Sequence, residues 1–210
     1  MQETREVASN EIRNFVSGKV CRLQTSYLSA SDKSTGARRL SALRHAIAKE
    51  PGSSADIWDI EIGGLRADLV GKDDRPSSAE RAVHGALTLY AFHQQSKSNP
   101  MHVSGREHGL GFAMRDLIQQ DKNHYRNRAE EELPRRFAAL VTAESMPEML
   151  HYLRQLIQQL RSAGIPLDYG LLAADLYRLQ NPYQADSVRR KWGREFAYRR
   201  KPASAEDNQS

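Results

Sequence analysis

Residues 145–164 read SMPEMLHYLRQLIQQLRSAG and show, within one short stretch, the pattern that recurs along most of the chain. Apolar residues return at intervals of three or four positions, which places their side chains on one face of an α-helix. These residues are Leu150, Leu153, Ile157 and Leu160. Ser145 and Glu148 have the spacing of a capping box, and Gly164 is typical of a helix end. The stretch therefore predicts a capped amphipathic helix.

The same helical periodicity extends to nearly all of the chain, and the alternating β-branched runs that indicate strands are missing. Ser77 and Glu80 provide a further capping-box spacing before another strongly periodic segment. We therefore predict an all-α protein of about eight to nine helices, arranged as a bundle in two packed helical subdomains.

A polar stretch at residues 96–105, which contains Pro100, breaks the helical pattern and predicts the boundary between the subdomains. The expected division is an N-terminal helical subdomain at 1–98 and a C-terminal one at 104–201. Residues 202–210 read PASAEDNQS, a composition that predicts a disordered tail.

Composition places the chain among soluble globular proteins. Of its 210 residues, 39% are hydrophobic and 27% charged, which argues against global disorder. No apolar run is long enough for a membrane span, so we expect no membrane association. Cys21 is the single cysteine, which excludes an internal disulfide and suits a reducing compartment, so we expect a cytoplasmic location. Cys21 lies among helical apolar residues and is expected in the core.

Positive charge is concentrated near the C-terminus. Residues 183–201 hold seven Lys or Arg and two acidic residues, so their charge of +5 equals the net charge of the whole chain. Val188, Trp192 and Phe196 follow one another at intervals of four and are expected to pack into the core rather than stack on bases. Arg190 and Arg194 lie on roughly the opposite face, where they could meet the phosphates of a nucleic acid.

A set of phrases along the chain resembles a known family when taken in order. They are ALTLYAFHQQS at 86–96, MH at 101–102, GLGFA at 109–113, RRFAAL at 135–140, HYLRQLI at 151–157, IPLDY at 165–169, LAADL at 172–176 and VRRKWGREF at 188–196. In this order and spacing the chain resembles the CasB family, the small subunit of the type I-E CRISPR surveillance complex called Cascade.

The resemblance implies an all-α subunit without enzymatic activity, which occurs as a pair along the inner face of a crRNA-guided complex. There it would brace the assembly and hold the displaced single-stranded DNA. The partners implied are the other Cascade subunits and the crRNA they carry. A basic surface that holds the expelled strand would act without sequence preference, because phosphates carry no sequence information.

The candidate DNA contacts are basic residues on three predicted helices. They are Arg189, Arg190, Lys191 and Arg194 on the last helix, Arg38, Arg39 and Arg44 on the second, and Arg135 and Arg136 on a later one. Arg190 and Arg194 are the first choice, and Arg38 and Arg39 are expected to complete the same groove. Arg44 lies beside an apolar stripe, so it could instead pair with an acid or line a subunit contact. The alternative for each residue is an ordinary solvated helix face.

No spacing in the chain predicts catalysis or a metal site. His84 and His93 are nine residues apart, and His102 and His108 are six apart, so neither pair gives same-face ligation on a helix. We expect no cofactor, no metal and no catalytic residues. Two alternatives remain: a helix-turn-helix regulator formed by residues 149–200, and a scaffold whose basic face meets an acidic protein.

Overall fold

The computed structural model describes residues 2–122 and 129–197, and within these ranges the chain is helical without named strands. Its α-helices are α1 (Gln2–Leu28), α2 (Lys33–Ala46), α3 (Trp58–Glu61), α4 (Ser78–Gln94), α5 (Leu110–Lys122), α6 (Ala129–Thr142), α7 (Met146–Ala163), α8 (Tyr169–Leu179) and α9 (Pro182–Ala197). The prediction of an all-α fold is confirmed. The expected tail at 202–210 and the end of the basic stretch lie outside the described residues.

The helices surround a core that draws on both halves of the chain. α1 packs against α2 and α8, and α4 packs against α2, α7 and α8. α9 packs against α5 and α8, while α6 packs against α5 and α7. Fully buried side chains such as Ile12, Leu87 and Leu153 belong to the same hydrophobic cluster. The division of the chain near residues 96–105 stays a prediction.

The N-termini of α4 and α7 carry the two predicted capping boxes. Ser77 Oγ accepts the Glu80 N–H at 3.0 Å and Glu80 Oε2 accepts the Ser77 N–H at 2.6 Å, so this predicted capping box is complete. Ser145 Oγ accepts the Glu148 N–H at 3.3 Å, but Glu148 Oε2 turns to the Glu144 N–H at 3.1 Å. The second box is therefore wrong in its reciprocal half, although Ser145 does cap α7.

The start of α5 lies unusually close to α9. A Cβ at Gly111 would be 2.5 Å from the carbonyl oxygen of Trp192 and 2.6 Å from Glu195 Cβ. Only a residue without a side chain fits between the two backbones. The glycines of the GLGFA phrase therefore allow α9 to pack this close to the start of α5.

Polar side chains lie within the core between α4 and α8. His93 is fully buried, and its Nδ1 lies 2.9 Å from the hydroxyl oxygen of Tyr169. The rings of Tyr90 and Tyr169 meet edge to face with centroids 5.3 Å apart. Burial lowers the pKa of His93 from its ordinary value to about 3, because a charged imidazolium would lose its hydration there.

This buried histidine predicts an acid-sensitive stability. The unfolded chain binds a proton at His93 below about pH 6.5, whereas the folded protein does not until about pH 3. The contribution is therefore complete above pH 6.5 and is lost as pH falls, at up to roughly 1 kcal/mol per pH unit. Urea unfolding at pH 7, 6 and 5 should give a shallower pH dependence for His93→Gln than for wild type. His45→Gln, at an exposed site, is the control, and parallel curves for all three proteins would contradict the prediction.

Candidate nucleic-acid interface

α9 docks on the body of the protein through the apolar stripe expected from its sequence. Val188 and Trp192 are completely buried, and Phe196 stacks on Phe137 of α6 with ring centroids 5.0 Å apart. The prediction that this stripe belongs to the core is confirmed. The opposite face of α9 remains available to solvent.

A buried carboxylate fixes the orientation of α9. Asp175 of α8 is 3% exposed; its Oδ2 accepts the Trp192 Nε1–H at 2.8 Å. Lys191 Nζ donates to the two oxygens of the same carboxylate at 2.9 and 2.6 Å. Lys191 is therefore occupied inside the protein and its charge is compensated. Asp175 was missed as an important residue because the only sign of it is one acid in the apolar phrase LAADL.

Arg189 also has partners inside the protein. Its guanidinium donates to the Ala143 carbonyl at 3.1 Å and lies 3.2 Å from Asp186 Oδ1. Ala143 directly follows α6, so Arg189 ties that end of α6 to α9. Arg189, like Lys191, therefore helps to hold α9 against the rest of the protein.

Arg190 and Arg194 differ from these two residues. Both side chains are exposed, and neither has a hydrogen bond or ion pair within residues 2–122 and 129–197. One helical turn separates them, a rise of about 6 Å along the axis. They form a pair of guanidinium groups whose donors are open to an anion, and we call them the α9 pair.

α6 lies beside the end of α9 because Phe137 packs on Phe196. Arg135, two residues before Phe137, is exposed. Arg136 forms an ion pair with Glu132 one turn earlier on the same helix. Arg136 therefore has a carboxylate partner on its own helix. Both candidates lie on a helix that adjoins α9.

The candidates on α2 adjoin basic residues of α1. Arg38 is exposed, and the exposed Arg39 lies 3.7 Å from Asp59 Oδ2. Lys19 of α1 donates to the carbonyls of Asp59 and Gly63 at 2.6 and 2.7 Å. Burial, followed by the nearby charge of Arg22, lowers the pKa of Lys19. Sequence reasoning missed Lys19 and Arg22, which join the α2 cations only once α1 and α2 pack.

The cations of α2 and the α9 pair lie on helices whose main packing partners differ. α2 packs mainly on α1 and α4, and α9 packs mainly on α5 and α8. That Arg38 and Arg39 complete one groove with the α9 pair stays a prediction.

Arg44 lies in a third basic region. Its guanidinium donates to the Ala91 carbonyl at 3.5 Å, and burial lowers its pKa. Nearby, the guanidinium carbons of Arg154 and Arg161 each lie 5.5 Å from the centre of the Phe92 ring. We call Arg44, Arg154, Arg161 and Phe92 the Phe92 cluster. Arg44 has a carbonyl rather than an acid as its partner in the described part of the chain.

Other chemistry finds little support in the described residues. They contain no group of three or more His, Cys, Asp or Glu side chains that could hold a metal ion. Within the same ranges, no helix is long and apolar enough to cross a membrane. The expectation that Cys21 is a core residue is wrong, because Val20 and Leu23 take the buried side of α1 and Cys21 faces solvent.

Comparisons with known proteins agree with this architecture. The chain is similar over 89% of its length to CasB from Thermobifida fusca, at 31% identity and a TM-score of 0.69, covering 97% of that chain. A Cse2-family protein from Thermus thermophilus shares the fold at 22% identity and a TM-score of 0.58, over 88% of this chain and 96% of the other. Among curated sequences, no protein gives a significant match. Residues 39–196 match the family described as CRISPR-associated protein Cse2. The chain therefore belongs to the Cse2 (CasB) family of CRISPR-associated proteins.

Proposed function

We propose that this chain is a non-catalytic subunit of a crRNA-guided DNA surveillance complex, which braces the assembly and holds the displaced DNA strand through its basic surface. The observation that carries the proposal is the α9 pair: Arg190 and Arg194 are exposed on a helix whose other face is buried and locked by Asp175. Membership of the Cse2 family supports the same function.

Two exposed arginines are well suited to holding a displaced DNA strand. When guide RNA pairs with one DNA strand, one duplex replaces another of similar stability, so modest contacts to the expelled strand can shift the balance. Arginine donates in a planar fork to phosphate oxygens and keeps its charge at any physiological pH. Contacts of this kind do not read sequence, and they weaken as salt rises because they work by releasing counterions.

Within this proposal the partners are the other Cascade subunits, their crRNA, the displaced single-stranded DNA and a second copy of this chain. Arg38 and Arg39 would complete the groove for the same strand from α2. Arg135 would extend the surface beside α9. Arg189, Lys191 and Arg136 would act by supporting the helices, since each already has a partner in the protein.

Neutralising the α9 pair is expected to weaken DNA binding without unfolding the protein. In Arg190→Gln/Arg194→Gln, the affinity for oligo(dT) should fall about tenfold at low salt. The slope of log K against log salt should become shallower by between about 1 and 2, since two phosphate contacts are lost. Fluorescence anisotropy over a salt series measures both quantities. Lys72→Gln/Arg75→Gln removes the same charge from an exposed loop and should change the affinity by less than about twofold.

The assembled complex separates the proposed function from its alternatives. With the Arg190→Gln/Arg194→Gln subunit, we expect normal assembly on crRNA and faster loss of the bound target DNA. Failed assembly with a folded variant would show instead that this face contacts protein, as the scaffold alternative requires. A thousandfold preference of the isolated protein for one duplex sequence would establish a regulator.

A further inference from the structure

A cavity of about 320 Å³ lies between the end of α2, the middle of α4 and the start of α7. Its walls are mainly apolar and include Ile47, Leu89, Met146 and Leu150. The volume falls at the lower end of the range for sites that hold a small molecule or one large side chain, about 300–1,000 Å³. The cavity is separate from the α9 pair, since none of its lining residues belongs to α9.

One buried polar group in this cavity lacks a partner. His84 is 3% exposed, lines the cavity and has no hydrogen bond at Nε2 within the described residues. Its Nδ1 is bound to Glu61 Oε1, and Glu61 Oε2 accepts the Gly52 N–H at 3.1 Å. This carboxylate fixes the ring so that, in the neutral imidazole, Nε2 is left as an acceptor. A buried acceptor without a partner costs free energy unless a ligand supplies a donor.

The rim of the cavity is positively charged. Lys49, Arg81 and Arg154 line it together with a single acid, Glu50. Arg81 is held by the Pro76 carbonyl and by Gln180, at 2.6 and 3.0 Å. Arg154 and Lys49 are exposed and have no carboxylate partner within the described ranges. Charge complementarity therefore favours an acidic occupant at the mouth.

We propose that this cavity binds a protein segment in which a tyrosine or tryptophan is flanked by acidic residues. The aromatic ring fills the apolar space, its O–H or N–H donates to His84 Nε2, and the flanking carboxylates meet Lys49 and Arg154. Tyrosine and tryptophan are enriched among the anchor residues of interfaces, where such pockets receive them. A nucleic-acid base fits less well, because its polar edges would lack partners against Leu89, Leu150 and Met146. The inference rests on the bracing role proposed above, not on DNA binding.

The test titrates full-length ¹⁵N-labelled protein with the peptides acetyl-Glu-Tyr-Glu-amide, acetyl-Glu-Phe-Glu-amide and acetyl-Lys-Tyr-Lys-amide. The first should shift the amide signals of Thr88, Leu89 and Leu150. Its dissociation constant should be about threefold lower than that of the phenylalanine peptide, which has no hydroxyl donor for His84. The dissociation constant of the tyrosine–glutamate peptide should be about tenfold lower than that of the lysine peptide, because the lysines are repelled by the basic rim whereas the glutamates are attracted to it. The phenylalanine peptide tests the bond to His84 without leaving Glu61 unpaired in the core.

Two variants locate the binding site. Leu150→Trp fills the half-buried mouth and should abolish the shifts, while Arg154→Glu should weaken binding of the glutamate peptide about fivefold. Arg190→Glu, an equal charge change on α9, should leave it unchanged. The proposal is overturned if the three peptides bind alike or not at all, or if Arg154→Glu and Arg190→Glu act equally. It is also overturned if oligo(dT) shifts the cavity amides, since the occupant is then nucleic acid. DNA affinity is measured separately, so either proposal can fail alone.

Discussion

Replacing Gly111 with alanine is expected to lower the free energy of unfolding by about 2–3 kcal/mol. The added Cβ would lie 2.5 Å from the Trp192 carbonyl oxygen and 2.6 Å from Glu195 Cβ. Neither neighbour can turn aside as the end of a flexible side chain could, so α9 must move away from α5. Denaturant unfolding measures the loss. We also expect weaker DNA binding, because the α9 pair would no longer be held against the body of the protein.

Gly193 supplies the matched control for this variant. It lies in the middle of α9, and a Cβ placed there meets nothing within 4 Å. Alanine is a better helix former than glycine, so Gly193→Ala should raise the free energy of unfolding by about 0.5–1 kcal/mol. Equal effects of the two substitutions would show that the close approach of α5 and α9 does not limit stability.

Asp175→Ala is expected to lower the free energy of unfolding by about 3 kcal/mol. The substitution leaves the Lys191 ammonium and the Trp192 Nε1–H without their shared acceptor in a largely buried place. Asp175→Asn keeps an acceptor for Trp192 but not the negative charge, so it should lose less. Urea unfolding followed by circular dichroism measures these differences.

Asp186→Ala tests whether the loss of stability expected for Asp175→Ala is caused by the burial of that carboxylate. Asp186 pairs with Arg189, but its side chain is 70% exposed, so its removal should cost less than about 1 kcal/mol. If the two alanine variants unfold at the same denaturant concentration, the carboxylate of Asp175 does not anchor α9.

The helices could be predicted from the sequence because their signals are local. The Ser77–Glu80 box and the stripe from Val188 to Phe196 each depend on spacing within one helix, and the structure confirms both. The start of α7 shows where prediction from local spacing stops. The spacing correctly predicts Ser145 as the cap, but the Glu148 carboxylate accepts from the Glu144 N–H, a partner that no spacing rule specifies. Cys21 was misplaced because one position along a helix turns a side chain by about 100°.

The site was harder to predict because it depends on contacts between distant parts of the chain. Charge alone could not separate Lys191 from Arg190, since the difference lies in Asp175, which is 16 residues away. Nor could it show that Arg39 adjoins Lys19, because that follows from the packing of α1 on α2. The spacing of His84 from His93 does not predict a metal site. The pairing of His84 with Glu61 is visible only in the folded structure.

The burial of Trp192 also gives the protein an optical probe. The chain has two tryptophans; Trp192 is completely buried, while Trp58 is 52% exposed. Trp58→Phe would leave a single indole at the contact between α9 and Asp175, where water is excluded. The emission of that variant would shift to longer wavelength when α9 undocks. Movement of this helix could then be followed in real time, with DNA present or absent, without attaching a dye.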